Sequence, residues 1–330
     1  MQKAKTLKAD SRPSFLRGPW FIPVIALIIL ALMPLYAGRS TQNMFTVIFC
    51  LGVFAMSYDI LLGYTGILSF GHAMFFGIGA YSVGIIIKNT APTVPYVILA
   101  FVGALVISVV LSAIIGFLSL RVRDTYYAMI TLAFGELFVI LAERMRHITN
   151  GADGLTFKVP EVFYNRTLYF YIALAFLTLS FIALWKFTNS PVGRVLIGIR
   201  ENEQRVKFLG YNTLNYKLIS TIVAGIFASL AGGFYAIHMR FVSTTVAGTL
   251  KTIDALMSTI IGGIGTLYGG VIGIGVINML GDYLARLAKV SPLLERWPII
   301  FGVAYIVIVI YAPYGLLGLA FKIKAKIQHS

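Results

Sequence analysis

The sequence predicts an all-α fold, a polytopic bundle of about nine or ten membrane-spanning helices in which some glycine-rich helices are broken or re-entrant. Three observations lead there. The 330 residues are 58% hydrophobic and only 12% charged, where a soluble domain carries about 25% charged residues. The mean hydropathy is +0.87, so too little polar surface exists to cover a globule in water. Among the 32 glycines, two dense clusters stand out, at 63–79 and 262–275.

A helix needs roughly 20 apolar residues to cross the hydrocarbon core. Stretches that meet or approach this lie at 20–36, 44–62, 70–87, 95–119, 126–142, 168–187 and 214–236. Two crowded pieces follow at 252–266 and 268–285, and a last span at 298–313. Residues 1–18 form a basic tail, 19–320 a single transmembrane domain containing a cytoplasmic segment at 188–213, and 321–330 a second basic tail. The first apolar run has the flavour of a secretory signal but no small-x-small cleavage site after it, so it is read as a retained span. This span usage leaves no room for a soluble catalytic domain.

Lys and Arg outnumber Asp and Glu by 27 to 12, for a net charge of +15. The basic residues sit between apolar blocks, which points to anionic lipid and a cytoplasmic charge bias and away from nucleic acid. Lys3, Lys5, Lys8, Arg12 and Arg17 place the N-terminus inside; Arg121 and Arg123 and the segment 186–217 follow, with 143–166 outside. The lone Cys50 offers neither a disulfide nor a cysteine metal site, and no metal ligand set is expected.

Between two spans lies Ser190-Pro-Val-Gly-Arg194-Val-Leu-Ile-Gly-Ile-Arg200-Glu-Asn-Glu-Gln-Arg-Val-Lys-Phe-Leu-Gly210. Ser190 suits an N-cap, Pro191 the first helical position and Gly210 the C-terminal stop. Val195, Ile199, Val206 and Leu209 recur at helical spacing, predicting one short amphipathic helix. Such a helix either lies on lipid or docks a cytoplasmic partner.

Two glycine-rich stretches stand apart. One runs Gly63-Tyr-Thr-Gly66-Ile-Leu-Ser69-Phe-Gly71-His72-Ala73 and predicts a kinked or interrupted helix. Asp59 precedes it by one turn and, if in hydrocarbon, should pair or face water. His72 reads first as a packing histidine and second as a solute contact; for Asp59 both readings stay open. The other stretch, Gly262-Gly263-Ile-Gly265-Thr-Leu-Tyr-Gly-Gly, reads first as close helix packing.

These three stretches, in their order along the chain, resemble the branched-chain amino-acid permease family of ABC importers, specifically the second of its two permease subunits. Gly193, Arg194, Ile199, Arg200, Glu201, Asn202, Glu203 and Gly210 fall on the family's G-R-x-x-x-A-I-R-E-N-E coupling pattern; Gly63, Gly66, Ser69 and Gly71 fall on its G-Y-x-G-x-x-S-F-G element. Gly198 and Val206 depart from alanines common there, and Ile67 from a common glutamine. The resemblance implies ATPase coupling through Gly193, Arg194, Arg200–Glu203 and Gly210. It implies a translocation-pathway or packing role for Asp59, Gly63, Gly66, Ser69, Gly71, His72, Gly262, Gly263 and Gly265. It further implies two ABC ATPase subunits, a second homologous permease subunit, an extracytoplasmic solute-binding protein, and a place in a bacterial or archaeal inner membrane. ATP and Mg would be held by the partner subunits and no cofactor by this chain; leucine, isoleucine or valine would be the solute, with urea or short amides among the relatives' alternatives.

Other classes fare worse. No Walker A pattern occurs, so the chain is not itself the ATPase. Neither HExxH nor GxSxG is present, and the four histidines are scattered, against an intramembrane enzyme. An ATP-independent transporter or channel would rely on intramembrane carboxylates; Asp59, Glu136, Asp254 and Asp282 are the candidates, and they form no obvious relay.

Overall fold

The computed structural model describes residues 21–122 and 124–288, together with Gly302 and Gly315. Both basic tails and, apart from Gly302, the candidate span 298–313 lie outside the described residues. Eleven helices are described: α1 (Phe21–Leu32), α2 (Arg39–Asp59), α3 (Ala73–Asn89), α4 (Val94–Ser119), α5 (Asp124–Arg144), α6 (Arg146–Thr149), α7 (Arg166–Asn189), α8 (Pro191–Phe208), α9 (Thr213–Met239), α10 (Thr249–Gly262) and α11 (Tyr268–Ala288). The strands β1 (Leu155–Thr156) and β2 (Phe241–Val242) are two residues each. Five helical stretches, 39–65, 94–119, 126–144, 166–189 and 213–239, are each long and apolar enough to cross a membrane.

Burial follows composition. α2 is apolar on every face and is the central helix, packed by α7, α9, α10 and α11, as an all-round hydrophobic helix must be. α4 turns Ala100, Ala104, Ser108 and Ser112 toward α9 and leaves Ile98, Leu99, Val102 and Val106 exposed. This small-residue stripe lets the two backbones approach where lipid gives no hydrophobic drive for association. α3 and α9 cross closer still: a β-carbon on Gly79 would overlap the Ser229 carbonyl, and one on Gly232 the Phe76 carbonyl.

Two helices are too short to cross the roughly 30 Å core unaided. α3 has 17 residues and α10 has 14, about 26 and 21 Å at 1.5 Å per residue. Each is preceded by chain running inside the bundle that is not α-helical, irregular before α3 and with a 3-10 turn at Thr244–Val246 before α10. Before α3, residues 66–72 pass Thr131 of α5, whose Oγ1 accepts from the Phe70 N–H at 3.3 Å. Before α10, residues 243–248 descend along α5 from a Thr244–Glu143 hydrogen bond to a Thr249–Glu136 one. The interrupted helix expected at 63–72 is thus present, its lower end formed by a π-helix over Ile60–Thr65. The pieces expected at 252–266 and 268–285 are α10 and α11, a close antiparallel hairpin turning at 263–267.

The segment 143–166 packs back on the bundle: β1 pairs antiparallel with β2 (Leu155↔Val242) and Leu155, Phe157 and Val159 are buried, capping the end opposite α8. One expectation is corrected. The segment 191–209 is not one straight helix. Asn202 is non-helical (φ −160°, ψ 96°) and bends α8. Leu209, expected on the packed face, is 70% exposed, because the bend rotates the last turn off the stripe formed by Leu196, Ile199 and Val206.

Candidate functional site

The site is built where α8 meets the two glycine-rich breaks. The Ser190 hydroxyl caps α8 by accepting from the Gly193 N–H at 3.3 Å. Gly193 is buried, and a β-carbon there would overlap the Thr188 carbonyl at the end of α7. Leu196, Ile199 and Val206 then bury against Phe187 and Tyr216, at about 1.5–3 kcal/mol for each fully buried side chain. This small satellite core fixes α8 to the ends of α7 and α9.

Fixed in that way, α8 delivers Arg200 to the membrane domain. Its guanidinium Nη1 donates to the Gly63 carbonyl at the π-helix. Gly66 follows with φ +76°, and a β-carbon there would sit 2.9 Å from the Arg200 Cγ. Only glycine meets both demands, a left-handed backbone and an arginine lying directly on it. Gly265 has φ +78°, and its β-carbon would fall 3.0 Å from Arg200 Nη1. One arginine therefore touches both glycine motifs.

Asp59 closes the arrangement from inside. It is fully buried; its Oδ1 accepts from the Gly265 N–H at 2.7 Å and its Oδ2 from the Leu267 N–H at 3.0 Å. The α10–α11 turn is thereby held onto the end of α2. Gly63 lies between, with no room for a β-carbon beside Asp59 Oδ1 and the Gly265 nitrogen. A shift of α8 has a direct physical path to both breaks, through one guanidinium and one carboxylate.

Beyond the bend, the Asn202 side chain accepts from the Arg205 N–H at 2.9 Å, acting as the N-cap of a second short helical piece. Glu203 receives Thr213 Oγ1 and Lys217 Nζ at 2.8 Å each, and Lys207 Nζ at 3.0 Å. Partial burial works to raise the Glu203 carboxyl, but these partners outweigh it and hold it down at about 2. Gly210, with φ +87°, ends the segment. Arg194 and Glu201 point outward, beside Phe208, 88% exposed, and Leu209. An open cleft of about 350 Å³ lies between the two arms of α8, lined by Pro191, Arg194, Val195, Gly198, Val206, Leu209 and Tyr211.

The other residues singled out in the sequence sit deeper. His72 is fully buried, its Nε2 2.9 Å from Ser57 Oγ and its ring stacked on Phe54. Ser69 is buried beside Thr131 and Thr221, and a β-carbon on Gly71 would overlap the Thr131 carbonyl. Gly262 packs on the Gly269 carbonyl, and Gly263 ends α10 with its N–H on the Thr259 carbonyl at 3.0 Å. Sequence reasoning missed the exposure of Phe208, and it missed that Arg200, exposed like Glu201, reaches back to the Gly63 carbonyl. Asn202 with Arg205 three residues on was a legible capping signal.

Comparison with known proteins agrees with this architecture. The family described as branched-chain amino acid transport system / permease component matches residues 40–312. The high-affinity branched-chain amino acid transport system permease protein LivM of Escherichia coli is 25% identical over 328 residues, covering 89% of this chain and 74% of the relative. The probable branched-chain amino acid transport permease protein LivM of Methanocaldococcus jannaschii is 23% identical, covering 80% and 89%. The guanosine ABC transporter permease protein NupQ of Bacillus subtilis is 23% identical over 52% of this chain and 58% of its own. No solved structure matches. A helical bundle with apolar spans, a bent polar helix at one end and a family match over most of its length identify a multi-pass membrane protein: the chain belongs to the branched-chain amino acid transport permease family of ABC importers.

Proposed function

We propose that this chain carries branched-chain or closely related neutral amino acids inward across the cytoplasmic membrane, driven by ATPase subunits docked on α8. The observation that carries this reading is the position of α8: it presents Glu201, Phe208 and Leu209 outward while its Arg200 grips the glycine break at Gly63. The complete importer comprises two ATPase subunits holding ATP and Mg²⁺, a second homologous permease subunit and an extracytoplasmic binding protein; this chain holds no nucleotide. Movement of the ATPases displaces α8, and Arg200 and Asp59 pass the displacement to the starts of α3 and α11. A carrier independent of ATP would have little use for such a helix.

The two faces of α8 separate binding from transmission, and that makes the reading testable. Co-purification with the ATPase subunits is expected to fall for Phe208→Ser and Glu201→Arg. Arg200→Ala is expected to retain the ATPase yet lose solute uptake. If all three variants keep both properties, α8 is not the coupling element. Because a guanosine permease is among the relatives, uptake of leucine and guanosine should be measured side by side; uptake of guanosine alone would replace the amino-acid assignment.

A further inference from the structure

Glu136 lies well inside a membrane-spanning helix and faces out of the chain. Along α5, Asp124 is about 18 Å from it in one direction and Arg144 about 12 Å in the other, at 1.5 Å per residue. Its Oε1 accepts from Thr249 Oγ1 at 2.5 Å, at the first residue of α10. No cation among the described residues pairs with it. Around it the exposed surface is apolar: Met129, Leu137 and Ile140 on α5, and Leu250, 78% exposed, beside Thr249. One helical turn along α10, Asp254 is also exposed, 3.6 Å from Lys251 Nζ.

A carboxylate at this depth cannot rest against hydrocarbon; intramembrane ionisable residues face a protein neighbour or a water-filled route. The helix that carries Glu136 is peripheral in this chain, and the carboxylate sits where the irregular segment 243–248, regular only in the 3-10 turn Thr244–Val246, ends and α10 begins. Non-helical backbone at membrane depth is tolerated where it is buried in protein or lines a water-filled cavity. We propose that Glu136, oriented by Thr249, is a station on the solute route that receives the ammonium group of an amino acid, with the solute's apolar side chain against Leu250, Leu137 and Ile140. The proposal rests on the amino-acid importer reading and adds to it a reason for preferring a cationic amine over a nucleoside.

The test uses the whole importer, reconstituted in proteoliposomes with its ATPases, second permease and binding protein. Glu136→Gln is expected to lower leucine uptake at least tenfold with the assembly intact by size exclusion, and Glu136→Asp to recover most of it. In a Cys50→Ala background, Glu136→Cys is expected to react with a membrane-impermeant cationic methanethiosulfonate, and Val106→Cys, on the exposed apolar face of α4, to react at least tenfold more slowly. Uptake by Glu136→Gln within twofold of wild type overturns the proposal. So does an inert Glu136→Cys, which together with separation of the two permease subunits would show the carboxylate paired across their interface. If wild type retains no ATPase subunit, the importer reading itself fails and the proposal falls with it, before any Glu136 variant is compared.

Discussion

Replacing Asp59 with Asn tests the internal link between the two glycine motifs. The wild-type carboxylate offers one oxygen to each of two backbone donors, Gly265 N–H at 2.7 Å and Leu267 N–H at 3.0 Å. An amide of the same shape has one oxygen and one NH₂, so one of these donors faces another donor. Leaving a buried donor unsatisfied costs about 1–3 kcal/mol. Charged acceptors also form stronger hydrogen bonds than neutral ones, so the upper half of that range is expected. The turn at 263–267 should then open about 30- to 150-fold more often. Hydrogen–deuterium exchange on the importer in nanodiscs reads this directly. Peptides covering 262–270 should exchange faster by that factor in Asp59→Asn, while α4 peptides, remote from the turn, should not change. Exchange of the 262–270 peptides within twofold of wild type would refute the reasoning, since it would mean that Asp59 does not hold the turn.

Further outcomes follow from the same geometry. Gly79→Ala and Gly232→Ala each place a methyl on a backbone carbonyl of the facing helix and should lower the thermal midpoint of the purified protein clearly, whereas Gly38→Ala, with nothing within 4 Å, should leave it unchanged. The Glu203 brace between α8 and α9 has a depressed carboxyl, about 2 against an ordinary 4.5. Its stabilisation is fully present above about pH 4.5 and lost as pH falls toward 2; amide exchange of 203–212 should rise over that window in wild type and stay flat in Glu203→Gln. Glu203→Ala at neutral pH, which removes contacts to Thr213, Lys207 and Lys217, should loosen the same segment by about 1–3 kcal/mol, the charge-assisted range discounted for partial exposure.

Much of this arrangement can be read along the chain. Ser190, Pro191 and Gly210 bracket α8 through local rules, and the density of glycine at 63–71 marks the broken helix from the sequence alone. Three relations could not be read. Asp59 reaches residues 206 and 208 positions away, and Arg200 reaches Gly63 at a separation of 137; no local periodicity encodes a register between such distant segments. The bend at Asn202 hides behind a good amphipathic stripe, because Val206 stays on the buried face while Leu209 leaves it. The segment 144–154 is polar in sequence, yet just after it the short pairing of β1 with β2 is made by backbone groups, to which composition is blind.

The central claim is that transport through this chain is driven by ATP hydrolysed on partner subunits. The most direct measurement is leucine uptake into proteoliposomes holding the chain with its permease, ATPase and binding-protein partners, with and without ATP on the α8 side, and with Arg200→Ala in parallel. The account predicts uptake only with ATP and its loss in the variant despite retained ATPase subunits. Uptake by the chain alone without ATP, undiminished by Arg200→Ala, would contradict it.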